Sequence, residues 1–222
     1  LQLMWDSKRI LIVAATKMEI ASSLPVLKKW HIPVAITGVG AAPSVYHMVK
    51  AIVQYQPSVM IQAGIAGCFD RKYLLGKVVA VTEERFADLG VEEHQQWKSV
   101  FDMGFIAPGQ KPFKEGRLKN PHKKLQGIAG IEAVAGVTVN EVTTNKNRIR
   151  LLKTQGAVVE SMEGAALHYV ALMEKIPFLQ IRSLSNYVGE RDKSKWNFKD
   201  AIGNLNQELV RIVQQMISNS PL

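Results

Sequence analysis

Two kinds of pattern alternate along this chain: short apolar runs without period-two alternation, and longer stretches whose apolar positions recur at helical spacing. RILIVAAT (9–16) predicts a strand covered on both faces. KMEIASSLPVLKKW then predicts a helix shortened or kinked at Pro25. PVAITGVGAA predicts a second strand with a glycine-bearing turn. PSVYHMVKAIVQY predicts a helix with Val45, Met48, Val49 and Ile52 on its apolar face. PSVMIQAGIAG reads as a third buried strand, GKVVAVTE as a fourth and GIEAVAGVTVN as a later one. NKNRIRLLKTQG predicts a helix with Gly156 as its C-cap. AVVESMEGAALHYVALMEK predicts a short strand running into a helix, IPFLQIRSLSN a last strand, and DAIGNLNQELVRIVQQMISN an amphipathic terminal helix. Strands alternating with helices in this way predict an α/β fold, a three-layer sandwich with helices on both faces of one sheet. The segment 83–124 stands apart. It is long, weakly periodic, and holds Trp97, Phe101, Phe105 and Phe113, which suits a functional or interface loop.

Composition narrows the picture. With 222 residues and 47% hydrophobic content, a single domain over 1–222 is expected, its core spanning about 9–218. A charged fraction of 21% argues against disorder. No apolar run approaches the roughly 18–20 residues of a membrane span. LQLMWDSKRI contains no long apolar region, so no signal peptide, no membrane partner and a cytoplasmic location are expected. Cys68 is the one cysteine, which excludes an internal disulfide and predicts a small buried hydrophobe. The net charge of +9 invites a nucleic-acid reading. The basic residues are dispersed, however, with one dense patch at 111–124, and no zinc spacing or aromatic RNA-binding signature accompanies them. A solvated basic loop is expected there, and no nucleic-acid partner.

In open α/β sheets ligands bind beyond the carboxyl ends of strands. The polar residues there are Glu19, the glycine turns at 38–40 and 64–67, and the stretches 140–144, 160–163 and 182–186. Each has two readings. Glu19 is an ordinary first-turn acid or a site carboxylate. Glu163 is a favourable acid at a helix N-terminus or a carboxylate accepting from a vicinal diol, with Met162 against the sugar; Glu160 is then the surface acid. Arg182 neutralises Glu160 or Glu163, or orients the latter. Ser185 and Asn186 cap the next turn or face a ligand. GVGAAPS and GIAGCF fall short of a dinucleotide fingerprint, and no phosphate-loop motif occurs, so no cofactor is expected. The five histidines show no ligand spacing, so no metal is expected. There is no G-x-S-x-G elbow.

AATKMEI, QAGIAGCF, VVESMEGAALHYV and QIRSLSNYVGERD resemble, in order and nearly in spacing, the nucleoside phosphorylase and nucleosidase family, over about 9–218. ESMEGAA, RSLSN and FADLGVEE are most similar to its futalosine-hydrolysing branch, which serves menaquinone biosynthesis. The resemblance implies a nucleoside phosphorylase-like fold around a central mixed sheet. It also implies a small purine nucleoside as substrate, no cofactor, and a homodimer or larger homo-oligomer. The implied reaction is hydrolysis of the N-ribosidic bond, yielding hypoxanthine and dehypoxanthine futalosine in that branch. Glu19 matches the acid that activates water. Glu163 matches the carboxylate on the ribose hydroxyls, with Met162 packed on the sugar and Arg182 steadying Glu163. Ala66, Gly67, Asn140, Val142 and Thr143 match the border of the base.

Asn186 stands where adenine-releasing members carry an aspartate. An amide cannot transfer a proton, yet it hydrogen-bonds N7 and O6 of a 6-oxopurine as charge moves onto the ring. It also reads N7 and N6 of adenine. Ile65 replaces the serine usual in adenine-releasing members. The carboxyphenyl group of futalosine calls for an aromatic wall, offered by Trp97, Phe101 and Phe105, and a cation, offered by Arg85; each of these residues could equally serve core packing. Arg85 also keeps a purine nucleoside phosphorylase open. A methylthioadenosine/adenosylhomocysteine nucleosidase and, from a different class, a basic nucleic-acid-binding protein stay open as well.

Overall fold

A computed structural model describes residues 9–94 and 96–218. The terminal stretch read for a signal peptide lies almost wholly outside them. The first half runs β1 (Ile10–Ala14), α1 (Lys17–Ile20), α2 (Leu24–Lys29), β2 (Val34–Ile36), α3 (Ala41–Tyr55), β3 (Val59–Cys68) and β4 (Val78–Glu84). A hairpin of β5 (Gly90–Glu93) and β6 (Gln96–Ser99) follows, then β7 (Leu118–Lys119) and α4 (Lys123–Ala129). The chain ends with β8 (Ala133–Thr138), α5 (Lys146–Thr154), β9 (Val159–Ser161), α6 (Gly164–Met173), β10 (Phe178–Tyr187) and α7 (Phe198–Ser218).

The sheet is mixed. β2, β1, β3 and β10 lie side by side and parallel, and β4 joins β10 antiparallel. β8 and β9 continue beyond β4, and β9 returns to pair antiparallel with the end of β3. Five strands therefore close on themselves. Ala66, Cys68, Val79, Val81, Val134, Val159 and Leu184 form one buried cluster drawn from all five. A second cluster joins β1 and β3 to α7, whose buried Leu205, Leu209, Ile212, Val213 and Met216 form one helical stripe. A third joins the sheet to α3 and α6. Helices thus cover both sides, as the alternating pattern predicts.

Several local expectations change. The helix after β1 is two helices broken at 21–23, with Pro25 in the first turn of the second, where its missing N–H leaves no intrahelical bond unmade. On α3, Met48 is fully buried, but Val49 is 42% exposed, so the buried stripe is narrower than its apolar pattern. The segment 83–124 holds the β5–β6 hairpin, β7 and α4, whose shortness and partial exposure hide their periods. Cys68 is buried, and burial raises its thiol pKa, which keeps it an unreactive hydrophobe. Among the described residues, no helix is long and apolar enough to cross a membrane.

Candidate active site

Glu19 lies on α1, directly beyond β1, and is 6% exposed. Thr16 caps the helix, and the two side chains form a reciprocal capping box. Glu19 Oε2 accepts from the Thr16 amide at 3.0 Å and its hydroxyl at 2.9 Å. That fixes the carboxylate and turns Oε1 toward β3, where it accepts from Ile65 N at 3.1 Å. The first-turn reading and the site reading therefore both hold: the cap is what aims the acid.

Glu163 occupies the N-cap position of α6 but makes no cap bond. Its side chain reaches across instead, Oε1 accepting from Gly40 N at 2.9 Å. Arg182, 1% exposed, lies with Nη2 at 4.0 Å from Glu163 Oε2 and donates to Gln62 Oε1 at 2.7 Å. Gln62 in turn donates toward the Glu163 carbonyl at 3.4 Å. Arg182 is thus held between an acid and an amide, and it favours Glu163 over Glu160. The register that pairs Arg182 with Gly64 brings it to Glu19 as well. A Cβ on Gly64 would meet both the Arg182 guanidinium and, at 3.1 Å, Glu19 Oε1.

Asn186 is 7% exposed and belongs to β10, where the register shifts around Ser185 so that Asn186 pairs with Gly67. The Ser185 hydroxyl lies 2.9 Å from Asn186 Oδ1 and 3.2 Å from the Ala66 carbonyl. Asn186 Nδ2 donates to the Tyr187 carbonyl at 3.2 Å, which leaves its second N–H for another acceptor. Neither residue caps the following turn. Thr143 is buried, and its amide donates at 3.1 Å to Glu160 Oε1. Glu160 is therefore no surface acid: it is 6% exposed, because β9 is inserted between β3 and β8. Asn140 is exposed and bonded to Asp88, Val142 is 36% exposed, and Met162 is half-buried beside Glu163.

Arg85, Trp97, Phe101 and Phe105, the residues expected around a substrate side chain, belong to the long excursion. Arg85 carries a buried Nη2 without a hydrogen-bond partner among the described residues, and burial together with Arg117 and Arg148 lowers its pKa to about 10. Arg148 stacks 3.9 Å over the Trp97 ring. Phe101 packs edge-on against Phe113, and Phe105 is 77% exposed. Phe101 packs on a cluster of Phe113, Leu118 and, from α6, Ala165, while no described contact of Phe101 or Phe105 is with Glu19, Glu163 or Asn186. Two surface hollows, beside Leu74 and Asn204 and beside Leu24 and Tyr55, are lined by other residues. Among the described residues, no cluster of three or more His, Cys, Asp or Glu is placed to hold a metal ion.

Sequence reasoning missed three contributors. Gln62 was detectable as an amide inside an apolar strand, and Thr16 through its spacing from Glu19. Asn206, far along on α7, donates to the Glu19 carbonyl at 2.8 Å and carried no local signal.

The phosphorylase superfamily model matches residues 24–218. Futalosine hydrolase of Thermus thermophilus is 28% identical over 184 residues, covering 81% of this chain and 80% of that protein. A 5′-methylthioadenosine/S-adenosylhomocysteine nucleosidase of Bacillus cereus is 29% identical over 161 residues, covering 69% and 67%. One of these relatives is named a hydrolase and the other a nucleosidase. Among solved structures, the Colwellia psychrerythraea methylthioadenosine/adenosylhomocysteine nucleosidase in complex with adenine superposes with a TM-score of 0.74 at 22% identity, covering 96% of this chain and 98% of that one. Futalosine hydrolase of Helicobacter pylori gives 0.73 at 17%, covering 94% and 97%. With its mixed sheet closed around one buried cluster and a family match over most of its length, this chain belongs to the phosphorylase superfamily.

Proposed function

We propose that the chain is a purine nucleosidase that hydrolyses the N-ribosidic bond of futalosine, releasing hypoxanthine. The observation that carries this reading is the convergence of Glu19 and the Arg182–Glu163 pair at Gly64 and of Asn186 at Gly67, on one short stretch of β3. N-ribosidic bonds break through an oxocarbenium-like transition state, with positive charge on the sugar and negative charge on the departing purine. Every observed hydrogen bond to the Glu19 carboxylate comes from a donor, as expected of an ionised acid that can accept a proton from water. Glu163 presents Oε2 to the ribose hydroxyls while Gly40 and Arg182 fix its plane. Its charge also favours the developing cation. The free N–H of Asn186 serves N7 or O6 of the leaving base. A hypoxanthine ring spreads its charge onto O6, so an amide suffices where full protonation of N7 is not needed.

Adenine release is the second reading, favoured by the relatives named for methylthioadenosine and adenosylhomocysteine. Asn186 and Ile65 weigh against it, because both replace polar groups associated with that chemistry. Product analysis with futalosine, inosine and methylthioadenosine, each with and without phosphate, decides among the readings. Phosphate-independent hypoxanthine release from futalosine is expected. Release from inosine only with phosphate would make the chain a phosphorylase, and adenine release with futalosine untouched would overturn the 6-oxopurine assignment.

We also propose a homodimer or larger homo-oligomer. Tyr46, Val49 and Val53 form an exposed apolar row along α3, which suits burial against a second copy. The exposed basic surface suits attraction of an anionic nucleoside to a cytoplasmic enzyme more than a nucleic-acid groove.

A further inference from the structure

The chain at the end of β4 gathers three guanidinium groups on one face. From Glu83 onward it follows β8 in a single register, with Glu83 beside Ala135 and Phe86 beside Thr138. Alternation along an extended chain then puts Glu83, Arg85 and Ala87 on the same face. That face meets α5, because Ala87 packs in one cluster with Val137, Val139 and Leu152. Arg117 donates to Glu83 and, at 3.2 Å, to the Gln155 carbonyl at the end of α5. Arg148 of α5 donates through Nη2 to the Ala87 carbonyl and stacks over Trp97 of β6. Arg85 stands between these two points.

The charges there do not balance. Arg117 has Glu83 as its counter-ion, whereas neither Arg85 nor Arg148 forms an ion pair among the described residues. Arg85 Nη2 and Arg148 Nη1 are both buried without a hydrogen-bond partner among those residues. Asp88 and Glu92 favour the Arg148 charge from beyond ion-pair distance. Asp88 itself is bonded to the Asn140 amide and side chain, and Glu92 is exposed on the β5–β6 hairpin. Burial and the two neighbouring guanidinium groups hold the Arg85 pKa below its usual value. Buried donors left idle beside like charge are costly unless an anion joins them.

We propose that Arg85 Nη2 and Arg148 Nη1 bind one small oxyanion of the phosphate or sulfate class, which joins the end of β4 to α5 and, through Trp97, to the β5–β6 hairpin. Guanidinium forks suit such an anion, because several of its oxygens accept at once. A dianion also neutralises both groups together. No described contact of either arginine is with Glu19, Glu163 or Asn186, and the site does not rest on the nucleosidase reading.

The test is a calorimetric titration of the full chain with sodium sulfate, at ionic strength held constant with chloride. Sulfate has the shape and charge of phosphate but is a poor nucleophile, so binding is not confused with phosphorolysis. One sulfate per chain is expected. Tm should rise with the logarithm of sulfate concentration, by at least about 5 °C at about 100-fold excess over Kd. General salting-out would instead give a rise linear in concentration and no stoichiometric binding. Arg85→Met and Arg148→Met should each abolish the binding. In chloride alone Arg85→Met should melt at or above the wild-type temperature, because it removes an uncompensated charge, and in sulfate it should melt below wild type. No stoichiometric sulfate binding to wild type, or binding undiminished in both variants, would overturn the proposal. So would an Arg85→Met chain destabilised equally in both buffers, which would make Arg85 structural. Benzoate, a planar carboxylate, is the competing ligand: binding of benzoate without sulfate would assign the pair to a carboxylate and overturn the dianion site.

Discussion

Arg182 fills the space that a side chain at position 64 would need: the two residues are register partners across β3 and β10, and the guanidinium lies where the Gly64 Cβ would be. Glycine at 64 is therefore required by a close approach and not by backbone conformation. Gly64→Ala should displace Arg182 from Gln62 and Glu163 and crowd Glu19. We expect a loss of about 1–3 kcal/mol in stability from overpacking and at least about 100-fold in turnover from misplacing two carboxylates. Urea denaturation beside steady-state kinetics checks both; a stable, fully active variant would contradict the packing described.

Asn206 joins α7 to the catalytic turn. It donates to the Glu19 carbonyl at 2.8 Å and accepts from Ser23 N at 2.9 Å and Ser23 Oγ at 2.6 Å. Asn206→Ala leaves these buried groups unpaired, which should cost about 1–3 kcal/mol. As a positioning residue it should also lower kcat about tenfold while KM changes little. A drop in melting temperature with kcat intact would make it purely structural.

Glu84 at the end of β4 and His168 on α6 are buried groups with opposed titrations. Glu84 accepts from Gln180 at 3.0 Å and Thr138 at 3.1 Å, and burial raises its pKa from 4.5 to about 7. The folded state then binds a proton that the unfolded chain has released, so this acid lowers stability as pH rises from about 4.5 to about 7. His168, whose Nδ1 lies 3.0 Å from the Leu118 carbonyl, has its pKa lowered by burial from 6.5 to about 4. Its contribution runs the other way, lost as pH falls from about 6.5 to about 4. Each amounts to about 3 kcal/mol, and over most of this window they offset. Glu84→Gln should unmask the histidine, making stability rise with pH across that range and exceed wild type above pH 7. Denaturation midpoints at several pH values test this; parallel curves for the two proteins would refute it.

Asn186 should matter for departure of the base more than for binding. Asn186→Ala is expected to cut kcat for the 6-oxopurine substrate by about 100–1000-fold, the loss seen when one donor to developing negative charge is removed. Single-turnover kinetics separates this from product release. A change confined to KM would place Asn186 outside the transition state.

Much of the fold and the site is legible in the sequence for a physical reason. β1 and the first halves of β3 and β10 are covered on both faces and read as apolar runs; Glu19 and Glu163 stand out just beyond strand ends and Asn186 near the end of β10, whereas Arg182, read as the end of a strand, lies in the middle of β10. The β5–β6 hairpin is not legible, because two largely exposed short strands carry no core pattern. Glu160 reads as a surface acid in the sequence because its burial comes from β9 closing onto β3 and from the Thr143 amide, neither of which is local. Asn206 lies 187 residues from Glu19, and its partner is a backbone carbonyl, which leaves no trace in composition or spacing.

The central claim is that Glu19 activates water at an N-ribosidic bond held between Glu163 and Asn186. The most direct measurement follows futalosine in phosphate-free buffer made with heavy-oxygen water, for wild type and for Glu19→Gln. The account predicts hypoxanthine release by wild type with heavy oxygen on the anomeric carbon of the sugar product, and a rate at least about 100-fold lower for Glu19→Gln with its fold intact. Undiminished release by Glu19→Gln, or release that begins only when phosphate is added, would contradict it.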